Sequence, residues 1–308
     1  MEHQPVLLAE CIDGLDIKPE GIYVDGTLGR GGHTGEIAKR LTTGRIIAID
    51  RDLEAINEAA GILGDYIDKI SFFHGNFSEI DNILDLEDIG AVDGMLFDLG
   101  VSSPQLDSSE RGFSYMQDAP LDMRMNQQDD LTAFEAVNFW SQARLRQIFR
   151  EYGEERYAGA IAGAIVRKRE IFQIKTTFQL NEIIYSAIPV AARREAQHPA
   201  KRCYQALRIA INDELESLKS MLETAPNRLK TGGRICVVSF HSLEDRLVKR
   251  AFAAQAAGCR CPKNIPVCIC GIPKTLKLVT KKPISPGKEE TERNPRSRSA
   301  KLRVAQRI

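Results

Sequence analysis

A glycine-rich turn between two short apolar runs constrains the fold more than any other feature of this sequence. The turn, residues 26–33, contains four glycines and follows the apolar run 22–24, which ends at Asp25. A helix-compatible segment and a second apolar run follow, and that run ends at Asp50. Glycine lacks a Cβ, so the turn can adopt positive φ and admit a ligand close to the backbone. The pattern predicts half of a nucleotide-binding α/β unit, in which a carboxylate accepts from both ribose hydroxyls.

The spacing of the glycines distinguishes between cofactors. A dinucleotide pattern G-x-G-x-x-G would require a third glycine at Thr34, whereas the next glycine is Gly35. Asp25 at the strand end would repel a pyrophosphate and attract a cation. S-adenosylmethionine carries a sulfonium, an ammonium and a ribose but no phosphate, so the pattern favours it over NAD. The alternative is a tight turn that serves only the packing of helix on sheet.

Two further apolar runs extend the predicted sheet. Residues 70–74 lead to Phe77, whose ring either holds an adenine or packs in the core, and residues 92–97 end at Asp98. These runs are continuously apolar, as is typical of parallel strands buried on both faces. Ligands bind at the carboxyl edge of such sheets, so the polar segments that follow the strands are expected to meet there.

The pattern changes to helical spacing between residues 106 and 199, where apolar residues recur at steps of three and four. We interpret this block as an inserted helical, substrate-recognition domain. It separates two parts of the α/β domain, residues 1–105 and residues 200–308. An apolar stripe from Tyr204 to Leu222 predicts one long helix before the sheet resumes.

Charge is unevenly distributed along the chain. The 42 basic and 42 acidic residues balance, which argues against a general polyanion binder. Residues 260–308, however, contain 13 Lys and Arg against three acids. This basic tail indicates either contact with nucleic acid or a solvated, partly disordered terminus. The same choice, nucleic-acid contact or solvated face, applies to the basic residues of the helical block and its end: Arg156, Arg167, Lys168, Arg169, Arg193, Arg194, Lys201 and Arg202.

Features of membrane and secreted proteins are missing from the sequence. The longest uncharged apolar run, residues 158–166, is far shorter than a bilayer span. The first residues lack the basic and apolar regions of a signal peptide. We therefore expect a cytoplasmic protein with no membrane contact, in which the cysteines stay reduced.

Four cysteines lie close together late in the chain. Cys259 and Cys261 form one C-x-C pair, and Cys268 and Cys270 form another, within a Cys-rich segment spanning residues 259–270. Paired cysteines in a reducing compartment suggest structural zinc, but the spacing is tighter than the usual C-x₂-C. Metal binding by this cluster therefore stays open, and no metal ligand is assigned. The remaining cysteines are expected to be buried apolar residues: Cys11, Cys203 and Cys236.

The last part of the chain predicts a return to the sheet. Residues 234–240 predict a strand, and residues 242–245 resemble a capping box that starts the next helix. His241 lies at this junction and is either structural or close to a substrate. The alternating run at residues 301–305 predicts a final edge strand.

Long motifs along the chain together resemble one family. They are residues 25–33, 98–106, 111–114 with 121–125, 152–156 and 239–246. The sequence is similar, nearly end to end, to bacterial 16S rRNA cytosine-N4 methyltransferases, which act at cytosine 1402 in the decoding centre. The resemblance implies an α/β class I methyltransferase fold, Rossmann-like, with a mostly parallel sheet, helices on both faces and an inserted helical domain.

The resemblance also implies the cofactor, the partner and the binding residues. S-adenosylmethionine is the implied methyl donor, and 16S rRNA in the small ribosomal subunit is the implied substrate. His33 and Gln105 enter the predicted site from the resemblance alone. The implied cofactor-binding residues are Gly31, Gly32, His33, Asp50, Phe77, Asp98 and Gln105.

The sequence says less about which residues contact the target cytosine and which of them removes its proton. Many amino-methyltransferases carry an acid/Asn-Pro-Pro-aromatic loop after the fourth strand, and residues 98–104 lack its aromatic residue and paired prolines. Backbone carbonyls there, or the hydroxyls of Ser102 and Ser103, are the predicted contacts to the base, and no general base can be assigned.

Three other functions stay open at this point. They are a dinucleotide-dependent oxidoreductase, a non-catalytic ribosome-assembly factor that kept the fold, and a DNA amino-methyltransferase. The oligomeric state, including a homodimer, is also open.

Overall fold

The chain divides into two compact units in a computed structural model, which describes residues 5–194, 198–259, 261 and 269–308. The first unit comprises Met1–Gly100 and Leu215–Ile308, and the second comprises Val101–Glu214. None of the helices in the described parts of the chain is long and apolar enough to cross a bilayer.

The first unit is built on a seven-stranded sheet with the order β3-β2-β1-β4-β5-β7-β6. Strands β1 to β5 pair in parallel, whereas β7 runs antiparallel to both β5 and β6. The predicted edge position of the last strand is wrong, because β6 covers its outer side. The strands are β1 Ile22–Asp25, β2 Arg45–Asp50, β3 Ile70–His74, β4 Val92–Asp98, β5 Leu229–Ser239, β6 Leu276–Leu278 and β7 Lys301–Arg307.

Helices pack on both faces of the sheet and make up most of the second unit. In chain order they are α1 Leu8–Leu15, α2 Gly32–Ala38, α3 Leu53–Ile62, α4 Ile80–Leu86, α5 Ser103–Asp107, α6 Ala133–Phe139, α7 Gln142–Glu151, α8 Ala158–Arg169, α9 Thr177–Ala187, α10 Lys201–Ile211, α11 Glu214–Thr224, α12 Ser242–Ala257 and α13 Lys288–Arg293.

Neighbouring residues of the inner strands contribute side chains to two separate apolar cores. Tyr23 and Ile46 pack with α1 to α3 on one face of the sheet. Val24 and Ile47 pack with α4, α11 and α12 on the other. Because successive side chains of a strand point to opposite faces, a strand covered on both sides must be apolar throughout. This explains the continuous apolar runs, and it confirms the predicted mostly parallel sheet with helices on both faces.

The second unit has its own helical core, formed by buried residues of α6 to α10. The prediction of one long helix from Tyr204 to Leu222 is wrong. Asp213 adopts a positive φ of 50°, which ends α10 and separates it from α11. Leu207 belongs to the core of the second unit, whereas Leu222 belongs to a core of the first. The apolar stripe therefore serves two cores.

The basic tail is folded over residues 269–308, so a disordered terminus is not what the structure shows there. Asp245 on α12 holds β7 by accepting from Arg303 at 2.7 Å and from Lys301 at 3.3 Å. Other basic side chains remain exposed, namely Lys274, Lys277, Lys281, Lys282, Lys288, Arg293, Arg296 and Arg298.

Candidate cofactor-binding site

Three aspartates end three neighbouring strands of the first unit. Asp25 ends β1, which lies between β2, ending at Asp50, and β4, ending at Asp98. The strands are parallel, so all three carboxyl ends lie at one edge of the sheet. This is the edge at which open α/β sheets bind their ligands.

The glycine-rich turn is tied to all three aspartates. Thr27 N–H donates to Asp25 Oδ1 at 3.1 Å, and its Oγ1 accepts from Asp98 N–H at 2.6 Å. Gly29 N–H donates to Asp50 Oδ2 at 2.7 Å. Thr34, on α2, donates its hydroxyl to Asp25 Oδ2 at 2.7 Å. Sequence reasoning missed both threonines. The contact of the Thr27 N–H is an Asx turn, which Asp followed by a glycine-rich turn favours, whereas the Thr34 contact spans nine positions and has no local signal.

The carboxylates of this edge are poorly compensated by positive charge. Burial raises the pKa of Asp25 to about 6, against hydrogen bonds from Thr34 and Thr27 that lower it. Burial also raises the pKa of Asp98 well above its ordinary value, and the charges of Asp25 and Glu244 add to this increase. The pKa of Asp50 is raised by burial as well. Within the described residues, no Lys or Arg forms an ion pair with Asp25 or Asp98.

His33 lies beside Asp98 without neutralising it. Its Nδ1 is 3.9 Å from Asp98 Oδ2, which is too long for a hydrogen bond. Burial lowers the pKa of His33 to about 4, so the imidazole is uncharged at neutral pH. Two buried atoms at this place, His33 Nε2 and Asp98 Oδ1, have no hydrogen-bond partner in the part of the chain that the structure describes. Unpaired buried polar atoms are costly, so they indicate a place where a ligand binds.

The glycines of the turn have different surroundings. A Cβ on Gly31 (φ 78°) would lie 2.6 Å from Leu63 Cδ1, and a Cβ on Gly32 would lie 2.2 Å from Pro5 Cγ. Both glycines therefore permit close packing within the first unit. Gly29 also has a positive φ, of 51°, but no atom lies within 4 Å of the position of its Cβ. Packing explains two of the glycines, whereas it does not explain Gly29 or the buried acids.

The surroundings of Phe77 are compatible with both roles predicted for its ring, contact with an adenine and packing in the core. It is half-buried, and its ring meets that of Phe97 edge-on at a centroid distance of 5.8 Å. Asn76, just before it, donates from Nδ2 to Ser217 Oγ at 2.9 Å and so fixes this segment against α11.

Gln105 lies in the second unit, where it belongs to the capping box of α5. Its Oε1 accepts from Ser102 N–H at 3.0 Å, and Ser102 Oγ accepts from Gln105 N–H at 3.4 Å. The Ser102 hydroxyl, a predicted contact to the base, thus already acts as a helix cap.

His241 is the N-cap of α12, which favours its structural interpretation. Its Nδ1 accepts from Glu244 N–H at 3.4 Å. Glu244 Oε2 in turn accepts from Phe240 N–H at 2.8 Å and from His241 N–H at 3.2 Å. Glu244 is a buried acid that sequence reasoning did not place near the site.

The site fits a ligand that carries both positive charge and hydrogen-bonding groups. The edge offers the buried carboxylate of Asp25 and the half-buried carboxylates of Asp50 and Asp98, together with an open glycine and two unpaired polar atoms. The sulfonium, ammonium and ribose of S-adenosylmethionine match this set, whereas a pyrophosphate would be repelled. Together with the parallel sheet and its antiparallel β7, the site defines a class I S-adenosylmethionine-dependent methyltransferase.

Comparison with known proteins places the chain more narrowly. Residues 1–308 match the MraW methylase family. "Ribosomal RNA small subunit methyltransferase H" of Halothermothrix orenii is 54% identical over 100% of this chain and 99% of the relative. Proteins of the same name from Caldicellulosiruptor saccharolyticus and Paenibacillus sp. are 53% and 50% identical, with the same coverage. The chain belongs to the MraW methylase family.

Proposed function

We propose that this protein transfers a methyl group from S-adenosylmethionine to the exocyclic N4 of cytosine 1402 in 16S rRNA. The relatives are named as methyltransferases of the small-subunit rRNA and are similar over their whole length. The choice of base and atom rests on the resemblance of the sequence motifs. We propose a cytoplasmic location as well, because the proposed substrate is part of the ribosome.

The observation that carries the proposal is the set of uncompensated acids at the carboxyl edge of β1, β2 and β4. S-adenosylmethionine supplies a methyl group on a sulfonium when it is bound. Asp98 and His33 would bind it through their unpaired atoms, and Asp50 suits the ribose. The full set that we propose for the cofactor is Gly31, Gly32, His33, Asp50, Phe77, Asp98 and Gln105.

The protein's contribution to the reaction is then mainly one of positioning. The lone pair of a cytosine N4 is conjugated with the ring, so the amine is a weak nucleophile. Holding two reactants in the right geometry lowers a barrier by about 7–11 kcal/mol. Hydrogen-bond acceptors in the loop after β4, among them backbone carbonyls and the Ser103 hydroxyl, would orient the amine through its N–H groups. A target base in folded RNA must first be unstacked and turned into the pocket.

We further propose that the second unit is an inserted domain that recognises RNA. Several exposed basic side chains of this unit lie over aromatic rings. Arg144 stands 3.8 Å from the ring centroid of Trp140, and Lys168 stands 5.1 Å from that of Phe172. Basic side chains beside partly exposed rings suit RNA, because phosphates attract the charge and unstacked bases stack on the rings. Not every basic residue is available, since Arg169 donates to Val137 O and Trp140 O, each at 2.8 Å.

The proposal is tested by methyl transfer from labelled S-adenosylmethionine to small ribosomal subunits, naked 16S rRNA and DNA. The modified nucleoside and its position are then identified. We expect N4-methylcytidine at position 1402 of the rRNA, and no transfer to subunits that carry uridine at this position.

The outcomes separate the alternatives. Label in DNA alone would favour a DNA amino-methyltransferase. Cofactor binding without transfer to any substrate would overturn the proposed activity and favour an assembly factor. Binding of NAD in place of S-adenosylmethionine would contradict the interpretation of the site itself.

A further inference from the structure

We propose that Cys259, Cys261 and Cys270 bind one structural Zn²⁺ ion in the first unit. Their three Sγ atoms all lie within 4.8 Å of one another, although the residues span 11 positions of sequence. None of these side chains is fully buried, so an ion can reach them from solvent. The site is independent of the methyl-donor site and of the proposed substrate.

The spacing of the sulfurs is close to that of a zinc site. Zinc binds thiolates at about 2.3 Å in tetrahedral geometry, so two sulfur ligands lie about 3.8 Å apart. Sulfurs within 4.8 Å of one another need only small side-chain rotations to reach this arrangement. Three thiolates leave one position for a further ligand. Cys268, which completes the second C-x-C pair of the sequence, lies outside the described residues.

The backbone brings the two ends of this segment together. Helix α12 ends at Ala257, and its C-cap residue, Gly258, has a φ of 69°. A Cβ on Gly258 would lie 2.8 Å from Lys274 N and 3.0 Å from Ile272 O, so only glycine allows this approach. One residue further on, Thr275 N–H donates to Gln255 O on α12 at 3.1 Å. Cys259 follows the first of these anchors and Cys270 precedes the second, so both cysteines lie next to the contacts that join the two ends of the segment.

A backbone hydrogen bond supports a negatively charged sulfur at Cys259. The N–H of Cys261 donates to Cys259 Sγ at 3.4 Å. An N–H directed at sulfur stabilises negative charge on it, and thiolates are the form of cysteine that binds metals. Hydrogen bonds of this kind also orient ligands around a metal. The donor is the backbone amide two positions after Cys259, and in the C-x-C spacing this amide belongs to the next proposed ligand.

The other cysteines of the described chain have a different character. Cys11, Cys203 and Cys236 are fully buried, and burial raises the pKa of each thiol. They therefore remain protonated apolar residues, as the sequence predicted, and they provide a matched control. A metal at the exposed cluster would stabilise the connection between α12 and β6, because a bound ion stabilises only the folded loop.

The test measures metal in the full-length protein, purified under reducing conditions without a metal-affinity tag. We expect inductively coupled plasma mass spectrometry to find about one zinc ion per chain. The double variant Cys259→Ser with Cys270→Ser should retain less than about a tenth of this zinc. Cys203→Ala, which removes a buried thiol from the second unit, should retain all of it.

A second measurement covers the case in which the double variant does not fold. Replacing zinc with Co²⁺ in the wild-type protein should produce the charge-transfer absorption of thiolate bound to cobalt. The proposal is wrong if the reduced, folded wild type holds no zinc and develops no such absorption with Co²⁺. It is also wrong if the double variant binds zinc as the wild type does, or if two of these cysteines form a disulfide under reducing conditions. None of these results depends on methyl transfer.

Discussion

Two amides of the helical unit and two acids at the edge of the sheet differ in how their polar atoms are paired. In the helical unit, Asn138 accepts from Ile174 N–H at 2.9 Å and donates to Phe134 O and Ile174 O. Asn212 likewise accepts from Met125 N–H at 2.7 Å and donates to Met123 O at 2.8 Å. In the sheet unit, Asp25 is buried and Asp98 is half-buried, and neither acid has a basic partner among the described residues. The two buried amides therefore hold the helical unit together, whereas we propose that the two acids of the sheet edge bind a ligand.

The same contrast occurs along a single strand. Asp93, near the start of β4, accepts hydrogen bonds from Lys230 Nζ at 2.7 Å and from Ile22 N–H at 3.0 Å. Partial burial raises the pKa of Asp93, but the contacts with Lys230 and Ile22 lower it overall. Asp98, at the other end, has an unpaired Oδ1 and a raised pKa. Two aspartates five positions apart therefore differ in pairing, and we propose a structural role for Asp93 and a binding role for Asp98.

The largest effect is expected for the buried amides of the helical unit. Asn212→Ala should lower the free energy of unfolding by about 2–4 kcal/mol, because it leaves buried backbone groups of residues 123 and 125 unpaired. Trp140, the only tryptophan of the chain, lies in this unit and reports its unfolding by fluorescence. Affinity for S-adenosylmethionine in the folded variant should not change. Gln128→Ala, at an exposed position, is the control. Equal stability of the two variants would contradict the structural role of the buried Asn212 amide.

An effect of opposite sign is expected for Asp25. Its pKa in the folded protein is about 6, above the ordinary value of 3.8, so the folded state binds the proton more tightly. Stability should therefore fall as pH rises from about 4 to 6, by up to about 3 kcal/mol in total. Asp25→Asn should remove much of this dependence and be at least as stable at pH 7. Urea unfolding followed by circular dichroism measures it, and an unchanged pH dependence would contradict the burial of this charge.

The comparison within β4 predicts a somewhat smaller effect on binding. Asp98→Asn should weaken the affinity for S-adenosylmethionine by about 10–100-fold, since hydrogen bonds to charged groups contribute about 1.5–3 kcal/mol. Asp93→Asn should cost stability but leave the affinity unchanged. Calorimetric titration of both folded variants decides the matter. Equal loss of affinity in both would mean that Asp98 acts only through the stability of the strand.

The smallest effect is expected at the cap of α12. Asparagine is a good N-cap, so His241→Asn should keep stability within about 0.5 kcal/mol, whereas His241→Ala should cost about 1 kcal/mol. If His241 is purely structural, the asparagine variant also keeps full methyl transfer. A stable asparagine variant that has lost turnover would instead assign His241 to the substrate.

The sequence was most informative where a local pattern determines the structure. The strands β1 to β4 and the acids that end β1, β2 and β4 could be predicted because each strand is mainly apolar and ends at a polar residue. The threonine contacts to Asp25 and the break at Asp213 depend on tertiary packing and on one backbone angle, which have no periodic signal. The inner position of β7 likewise depends on β6, a strand of three residues that is too short to recognise.

The central claim is that the acids of the sheet edge bind the positive charge of the cofactor. The most direct test is the affinity of the wild-type protein for S-adenosylmethionine at about pH 5 and pH 7, below the pKa of the cofactor's own amino group. His33, with a pKa of about 4, stays neutral over this range, whereas Asp25, with a pKa of about 6, loses its proton within it. We predict binding about tenfold tighter at pH 7, with protons released on binding. Equal affinity at both pH values, or tighter binding at pH 5, would contradict the account.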